Sequence, residues 1–203
     1  MKLKNIIFDF DGVIVDTYDF VFDIVKENYP EITQQDFKDL YNQGISKNNK
    51  ISFGADKKFF KYFFEEYNSR LNRNHIFPDA IKYLNTLNNE YNLFLITSGS
   101  EVVVTNFLDK LGWNFFDKIL GHETSKSKVI KFKLLEGNGM VSSENSVFIT
   151  DTLADIVEGQ QAGYKVLAET FGYHNRERLA KGKPEWIVDS WEKIIKTITQ
   201  INN

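Results

Sequence analysis

The stretch NIIFDFDGVIVDT, residues 5–17, leads from an apolar run straight into Asp9 and Asp11, and Asp16 follows shortly after. An apolar run of this kind is typical of a buried strand. Carboxylates held close together repel one another unless a hard cation lies among them, and Mg²⁺ prefers oxygen ligands, waters and phosphate oxygens. The stretch therefore raises the possibility of a metal centre at the end of the first strand.

Further polar groups follow later strands of the chain. They are an acid pair, hydroxyls and a lysine-containing segment: Asp151 and Asp155 after VFIT, Thr97 and Ser98 after LFLI, and Ser125–Lys128 just before a helix. In open α/β sheets ligands bind beyond the carboxyl ends of the strands. We therefore expect these groups to converge with Asp9 and Asp11 at one edge of the sheet.

Such a set suits phosphoryl transfer. A metal at Asp9 and Asp151 would hold one phosphate oxygen, and Thr97 and Lys128 could bind the others, which supplies positioning and charge neutralisation. An aspartate can attack phosphorus and form an aspartyl phosphate. Asp11 is then free to protonate the leaving oxygen and later to deprotonate water.

Some of these roles have alternatives. Ser127 as the N-cap puts Lys128 at the first helical position, which favours Lys128 over Lys126 as the active-site lysine, but both stay open. Thr97 could be a simple strand-end hydroxyl, and Asp155 a helix-facing acid. The scattered histidines are expected to have surface or packing roles rather than catalytic ones: His75, His122 and His174.

Strands and helices alternate along most of the chain. The apolar runs that predict strands are Ile6–Phe8, Leu93–Ile96, Lys118–Leu120, Val147–Ile149, Lys165–Ala168 and Trp186–Val188. Segments of helical period lie between most of them. This order predicts an α/β fold, a doubly wound, mostly parallel sheet covered on both faces.

Residues 17–77 break that rhythm, because they contain helical patterns and no convincing strand. We expect a catalytic core of residues 1–16 and 78–203 with a small all-helical cap of residues 17–77. The aromatic run KKFFKYFFEEY, residues 57–67, is expected mainly to pack the cap's own core, although phenylalanines facing the main domain could line a pocket. Residues around Gly44–Asn49 are weak candidates for substrate specificity.

The composition narrows the class of protein. The chain has 203 residues, 25 basic and 28 acidic side chains, a net charge of −3 and no cysteine. Neither nucleic acid nor membrane is expected as a partner, and a cytoplasmic location is the default. No apolar run approaches the roughly 20 residues that span a bilayer. A monomer or small homo-oligomer acting on a small phosphorylated metabolite is expected.

Four stretches of the chain resemble, in order, the four motifs of the haloacid dehalogenase superfamily: DFDGVIVDT, LFLITSGS, the SKSK lysine and VFITDTLADIVEGQQAG. Within that superfamily the chain resembles the phosphatase type, which has a helical cap after the first strand. The resemblance implies a Rossmann-like core and a Mg²⁺-dependent phosphomonoester hydrolase. It also implies roles for individual residues: Asp9 as nucleophile and metal ligand, Asp11 as acid/base and metal ligand through its carbonyl, Thr97 with Ser98 and Lys128 as phosphate binders, Asp151 as metal ligand and Asp155 as supporting acid. The tail resembles that of phosphoglycolate phosphatases.

Other interpretations share these motifs. A phosphosugar mutase of the beta-phosphoglucomutase kind differs mainly in letting a sugar hydroxyl accept the phosphoryl group. Dehalogenase chemistry does not need the acid/base Asp11, and phosphonatase chemistry needs a cap lysine that nothing singles out. From a different class, a receiver-type signalling module is too short for this chain, whereas a catalytically inactive binding protein is disfavoured because no expected catalytic position is missing.

Overall fold

The computed structural model describes residues 2–42 and 57–202. Its strands are β1 (Asn5–Phe8), β2 (Asn92–Ile96), β3 (Phe116–Leu120), β4 (Ser146–Thr150), β5 (Lys165–Glu169) and β6 (Trp186–Val188). Each coincides with one predicted apolar run, extended by up to two residues. The carboxyl ends of β1, β2 and β4 fall where the sequence places its acids and hydroxyls.

All six strands form one parallel sheet in the order β3-β2-β1-β4-β5-β6. The helices are α1 (Tyr18–Asn28), α2 (Gln34–Leu40), α3 (Lys57–Arg70), α4 (Ala80–Asn88), α5 (Glu101–Lys110), α6 (Lys128–Gly137), α7 (Leu153–Gln161), α8 (Arg176–Ala180) and α9 (Trp191–Asn202). The strand order reverses direction on either side of β1, so the carboxyl end of β1 lies at a topological switch point. The predicted fold class is confirmed.

Each face of the sheet carries its own apolar cluster, because successive strand residues point to opposite faces. On β1, Ile6 and Phe8 belong to one cluster, and Ile7 belongs to the other. Helices α6, α7 and α8 cover the second face through residues such as Phe132 and Ile156. Both faces are therefore buried, as a parallel sheet requires.

The described part of residues 17–77 is helical apart from turns and an isolated bridge. Buried residues of α1 and α3, such as Val21, Ile24 and Phe59, are continuous with the apolar cluster that reaches β1. The chain leaves and re-enters the sheet region side by side, because Asp16 N donates to the carbonyl of His75 (2.6 Å) and Phe77 N to that of Ile14 (3.1 Å). Within residues 2–42 and 57–202, none of the helices is long and apolar enough to cross a bilayer.

Candidate active site

Asp9 stands immediately after β1 and is held at three points. Its backbone N–H donates to the carbonyl of Ile149 (2.9 Å), and its Oδ1 accepts from the backbone N–H of Phe10 (2.8 Å). Its Oδ2 lies 2.7 Å from Nζ of Lys128. The side chain is buried, at 5% relative exposure, yet it borders the main cavity. β1 thus positions a carboxylate in the wall of the cavity.

Lys128, the first residue of α6, is the lysine that contacts the acids. Its Nζ lies between Oδ2 of Asp9 and Oδ2 of Asp155, at 2.7 and 2.9 Å. Burial alone would lower the pKa of Lys128, but the charges of Asp155 and Asp9 outweigh burial and raise it, so the ammonium stays charged. Lys126 lines the cavity instead. Ser127 precedes the helix as predicted, but its hydroxyl donates to Glu158 rather than capping the helix.

Asp151, at the end of β4, presents an unused oxygen. Its Oδ2 accepts from the backbone N–H of Tyr173 (2.7 Å), whereas its buried Oδ1 has no hydrogen-bond partner among the residues that the structure describes. Oxygens of Asp9, Asp151 and Asp155 lie within 4.8 Å of one another. Burial raises the pKa of Asp151 to about 8 and that of Asp9 well above its ordinary value although the Lys128 charge opposes both shifts, so a further positive charge among these carboxylates would favour their ionised forms. The cluster fits a divalent cation.

Asp155 is tied to the surrounding protein more fully than Asp151. Its Oδ2 accepts from Lys128 Nζ and from the hydroxyls of Thr150 (3.2 Å) and Thr152 (2.9 Å). Burial would raise the pKa of Asp155, but the Lys128 charge and these hydrogen bonds hold it below its ordinary value. Asp155 and Asp9 therefore contact the same Lys128 ammonium from two sides.

Asp11 lies outside the group of three carboxylates and lines the cavity. Its Oδ1 accepts from the hydroxyls of Thr17 (2.8 Å) and Tyr67 (2.7 Å), and the Thr17 hydroxyl also meets the hydroxyl of Tyr173 (3.0 Å). Desolvation raises the pKa of Asp11 although these hydrogen bonds oppose it. The sequence did not single out Tyr67, which lies on α3 and contacts the expected acid/base.

Thr97 and Ser98 follow β2 and have different environments. Thr97 is fully buried, and its Oγ1 accepts from the backbone N–H of Gly99 (2.9 Å). Ser98 is exposed on the cavity wall. Beneath them Nζ of Lys131, a buried lysine that the sequence did not single out, donates to the carbonyl of Thr97. Burial, together with the Lys128 charge, lowers the pKa of Lys131 to about 8.

Two glycines let backbone approach Asp151. A Cβ on Gly12, whose φ is +77°, would lie 2.0 Å from Oδ2 of Asp151, and a Cβ on Gly172 would lie 2.4 Å from the same atom. Buried Glu169, at the end of β5, holds the Gly172 backbone close to Asp151, because its Oε2 accepts from the backbone N–H groups of Phe171 (2.6 Å) and Gly172 (3.2 Å). The sequence did not single out Glu169 or Gly172.

A cavity of about 670 Å³ opens above these groups. Its walls include Asp9, Asp11 and Asp155 on the core side and aromatic residues of α3 on the cap side. His122, expected to have a surface or packing role, also lines it. The specificity hypothesis for Gly44–Asn49 lies outside the described residues.

His174 is a buried neutral ring that joins α2 to the start of α7. Its Nδ1 accepts from the backbone N–H of Leu153 (3.0 Å), so its Nε2 carries the proton and donates to the carbonyl of Lys38 (2.9 Å). Burial lowers the pKa of His174 to about 4. This is the packing role expected from the sequence rather than a catalytic one.

This ring makes stability depend on pH. Between pH 6.5 and about 4 His174 binds a proton in the unfolded chain but not in the folded chain, so the free energy of unfolding falls as pH falls. We expect the wild type to lose about 2 kcal/mol relative to His174→Gln between pH 7 and pH 5. Denaturant unfolding of both proteins at each pH measures the difference. Parallel pH curves would contradict a depressed His174 pKa.

The comparison with known proteins agrees with this geometry. Residues 6–169 match the family profile described as haloacid dehalogenase-like hydrolase. The chain is 21% identical to a phosphoglycolate phosphatase of Vibrio cholerae, covering 97% of both chains, and 22% identical to one of Synechococcus elongatus, covering 98% of this chain and 99% of that one. A solved structure from Clostridium acetobutylicum, described as a predicted phosphatase, superimposes with a TM-score of 0.82 at 18% identity, over 98% of this chain and 100% of that one. The resemblance and the prediction of an enzyme are confirmed: the chain belongs to the haloacid dehalogenase-like hydrolase family.

Proposed function

We propose that the chain is a Mg²⁺-dependent phosphatase that hydrolyses a phosphomonoester through an aspartyl phosphate on Asp9. The observation that carries the proposal is the position of Asp9, which borders the cavity, contacts Lys128 and lies beside the unpartnered Oδ1 of Asp151. We further propose that residues 1–16 and 78–203 form the catalytic core and that residues 17–77 form the cap over it.

In the first step, a carboxylate oxygen of Asp9 attacks phosphorus, and the bond between phosphorus and the ester oxygen breaks. Thr97, Ser98 and Lys128 hold the phosphate oxygens, and Lys128 also lowers the charge that opposes the approach of Asp9 to an anion. The resident Mg²⁺ would be held by the carboxylates of Asp9 and Asp151 and the carbonyl of Asp11, and would supply further neutralisation of the phosphate charge.

Asp11 moves the protons of both steps. In the first it gives its proton to the departing alkoxide, which leaves as an alcohol. In the second step it takes a proton from the water that attacks the phosphorus of the aspartyl phosphate. The bond between phosphorus and the Asp9 oxygen breaks, inorganic phosphate is released and the Asp9 carboxylate is regenerated. Its raised pKa favours the protonated form that the first step requires, and the Thr17 and Tyr67 hydroxyls fix its orientation.

Removal of divalent metal should abolish turnover. We expect phosphate release from a metal-stripped preparation to fall by about 10²-fold or more and to return on addition of Mg²⁺, because the metal would neutralise phosphate charge that Lys128 alone does not neutralise. Mg²⁺ should also raise the melting temperature of the stripped protein, since it binds only the folded cluster. Full activity in protein shown by elemental analysis to hold no divalent metal would refute the metal requirement.

Product analysis separates hydrolysis from the alternative mutase activity. The curated relatives named above are phosphoglycolate phosphatases, so 2-phosphoglycolate is the natural first substrate, followed by sugar phosphates. Hydrolysis releases inorganic phosphate in step with loss of the ester. An isomerised sugar phosphate formed without free phosphate would instead establish a mutase.

A further inference from the structure

The cap-side wall of the cavity is a continuous surface of rings, which we call the aromatic shelf: Phe60, Phe63, Phe64, Tyr67 and His122. Ring centroids are 6.1 Å apart for Tyr67 and Phe63, 5.5 Å for Phe63 and Phe64, and 4.7 Å for Phe64 and His122. The Phe64 and His122 rings are stacked at 20°. The shelf joins α3 to the loop that follows β3.

Both ends of the shelf touch the expected catalytic machinery. At one end the Tyr67 hydroxyl donates to Asp11. At the other, the backbone N–H of His122 donates to the carbonyl of Gly99 (2.8 Å), in the turn that follows Thr97. An ester whose phosphate lies between Asp9 and that turn can therefore place its alcohol portion along the shelf.

The shelf keeps apolar surface open to the cavity. Phe60 and Phe64 are each only partly buried, whereas Phe59 on the same helix is almost fully buried, at 3%. Apolar area left in contact with water is costly, and a flat apolar ligand would remove that cost by stacking. The phenylalanines expected mainly to fill the cap's core are thus divided between core and cavity.

The size of the cavity favours an alcohol portion larger than two carbons. The cavity has a volume of about 670 Å³, which is the volume that about 20 water molecules occupy in liquid water at roughly 30 Å³ each. A two-carbon acid phosphate would leave most of that space and the shelf uncovered.

We propose that the preferred substrates are phosphomonoesters whose alcohol carries a flat aromatic ring close to the phosphate. The inference rests on the proposed phosphatase function and goes beyond it, because it names a substrate class different from the small acid phosphate named for the relatives. The ring stacks on Phe64 and its neighbours while the phosphate occupies the site at Asp9.

Three esters separate the recognition features. Benzyl phosphate presents a flat ring, cyclohexylmethyl phosphate presents a puckered ring of similar size on a similar alcohol, and 2-phosphoglycolate presents a carboxylate. With Mg²⁺ present we expect kcat/KM for benzyl phosphate to exceed that of each of the other two esters by about tenfold, since stacking on an aromatic wall favours flat rings. Equal values for the two ring esters, or a preference for 2-phosphoglycolate, would overturn the inference but leave the phosphatase proposal standing.

Phe64→Leu tests the shelf directly. We expect the ratio of kcat/KM for benzyl phosphate to that for 2-phosphoglycolate to fall by about tenfold in this variant, because leucine keeps apolar bulk but removes the stacking face. Tyr62→Leu is the matched control, since Tyr62 lies on the same helix, donates to Glu27 and is not among the residues that line the cavity. A ratio unchanged in Phe64→Leu, or lowered equally in both variants, would contradict the role of the shelf.

A binding measurement keeps this test independent of turnover. Calorimetry with benzylphosphonate, which cannot be hydrolysed, should give a dissociation constant about tenfold weaker for Phe64→Leu than for the wild type and Tyr62→Leu. If no ester is hydrolysed but this difference appears, the phosphatase proposal fails and the ring site stands. Equal dissociation constants in all three proteins would reject the ring site.

Discussion

Asp9→Asn is expected to lower kcat by about 10³-fold or more while the protein stays folded, because a neutral amide cannot form the phosphoenzyme. Asparagine has nearly the same shape as aspartate, and its Oδ1 can still accept from the backbone N–H of Phe10. Lys128 keeps Asp155 as a counter-charge. Phosphate release by the purified variant in saturating Mg²⁺ measures the loss, and circular dichroism confirms the fold.

The control for this variant makes the same chemical change elsewhere in the same stretch. Asp16→Asn alters an exposed acid outside the carboxylate cluster and should retain wild-type turnover. Rapid quenching of the wild type during turnover should show a phosphoryl group on the peptide that contains Asp9, and the Asp9→Asn protein should show none. Turnover within a few-fold of wild type in Asp9→Asn would exclude Asp9 as the nucleophile.

Much of the fold could be predicted because its signals are local. Each strand is a short apolar run, and each helix repeats apolar residues at helical spacing, so the order of elements alone implies a parallel sheet. The same topology places the ends of β1, β2 and β4 side by side, which is why Asp9, Thr97 and Asp151 could be grouped before any distance was known. Lys128 could be preferred over Lys126 because serine is favoured just before a helix, which places Lys128 at the first helical position, although the Ser127 hydroxyl donates to Glu158 and makes no capping bond.

The residues that sequence reasoning missed have roles set by contacts between distant segments. Tyr67 lies in an aromatic run whose spacing indicates only an amphipathic helix, and its contact with Asp11 depends on how α3 packs over the sheet. In the sequence Glu169 is indistinguishable from any acid at the end of a strand. Its role depends on the hydrogen bonds that it accepts from the Phe171 and Gly172 N–H groups, which the sequence does not show. Neither His122 nor Lys131 carries a local pattern that shows its position against the Gly99 turn and Thr97.

Asp11→Asn is expected to slow hydrolysis of alkyl phosphates by about 10²- to 10⁴-fold, the usual contribution of a positioned acid/base. The fold should be retained, because the amide oxygen of the introduced asparagine can accept the same hydrogen bonds from Thr17 and Tyr67 that Asp11 accepts. Unlike Asp9→Asn, this variant keeps the nucleophile. The loss of turnover in Asp11→Asn should therefore affect the proton transfers, whereas the loss in Asp9→Asn should affect formation of the aspartyl phosphate.

An activated ester distinguishes the steps. p-Nitrophenolate leaves without protonation, so with p-nitrophenyl phosphate the Asp11→Asn protein should form the aspartyl phosphate with little delay and then accumulate it, because no base activates the water. Stopped-flow should show a burst of p-nitrophenolate close to one equivalent per enzyme, followed by slow turnover. Tyr67→Phe, which keeps the acid and removes one hydrogen bond to it, should lie between the wild type and Asp11→Asn in alkyl ester hydrolysis. Equal losses on alkyl and p-nitrophenyl esters without a burst would show that Asp11 does not carry the proton, and its hydrogen bonds to Thr17 and Tyr67 would then be purely structural.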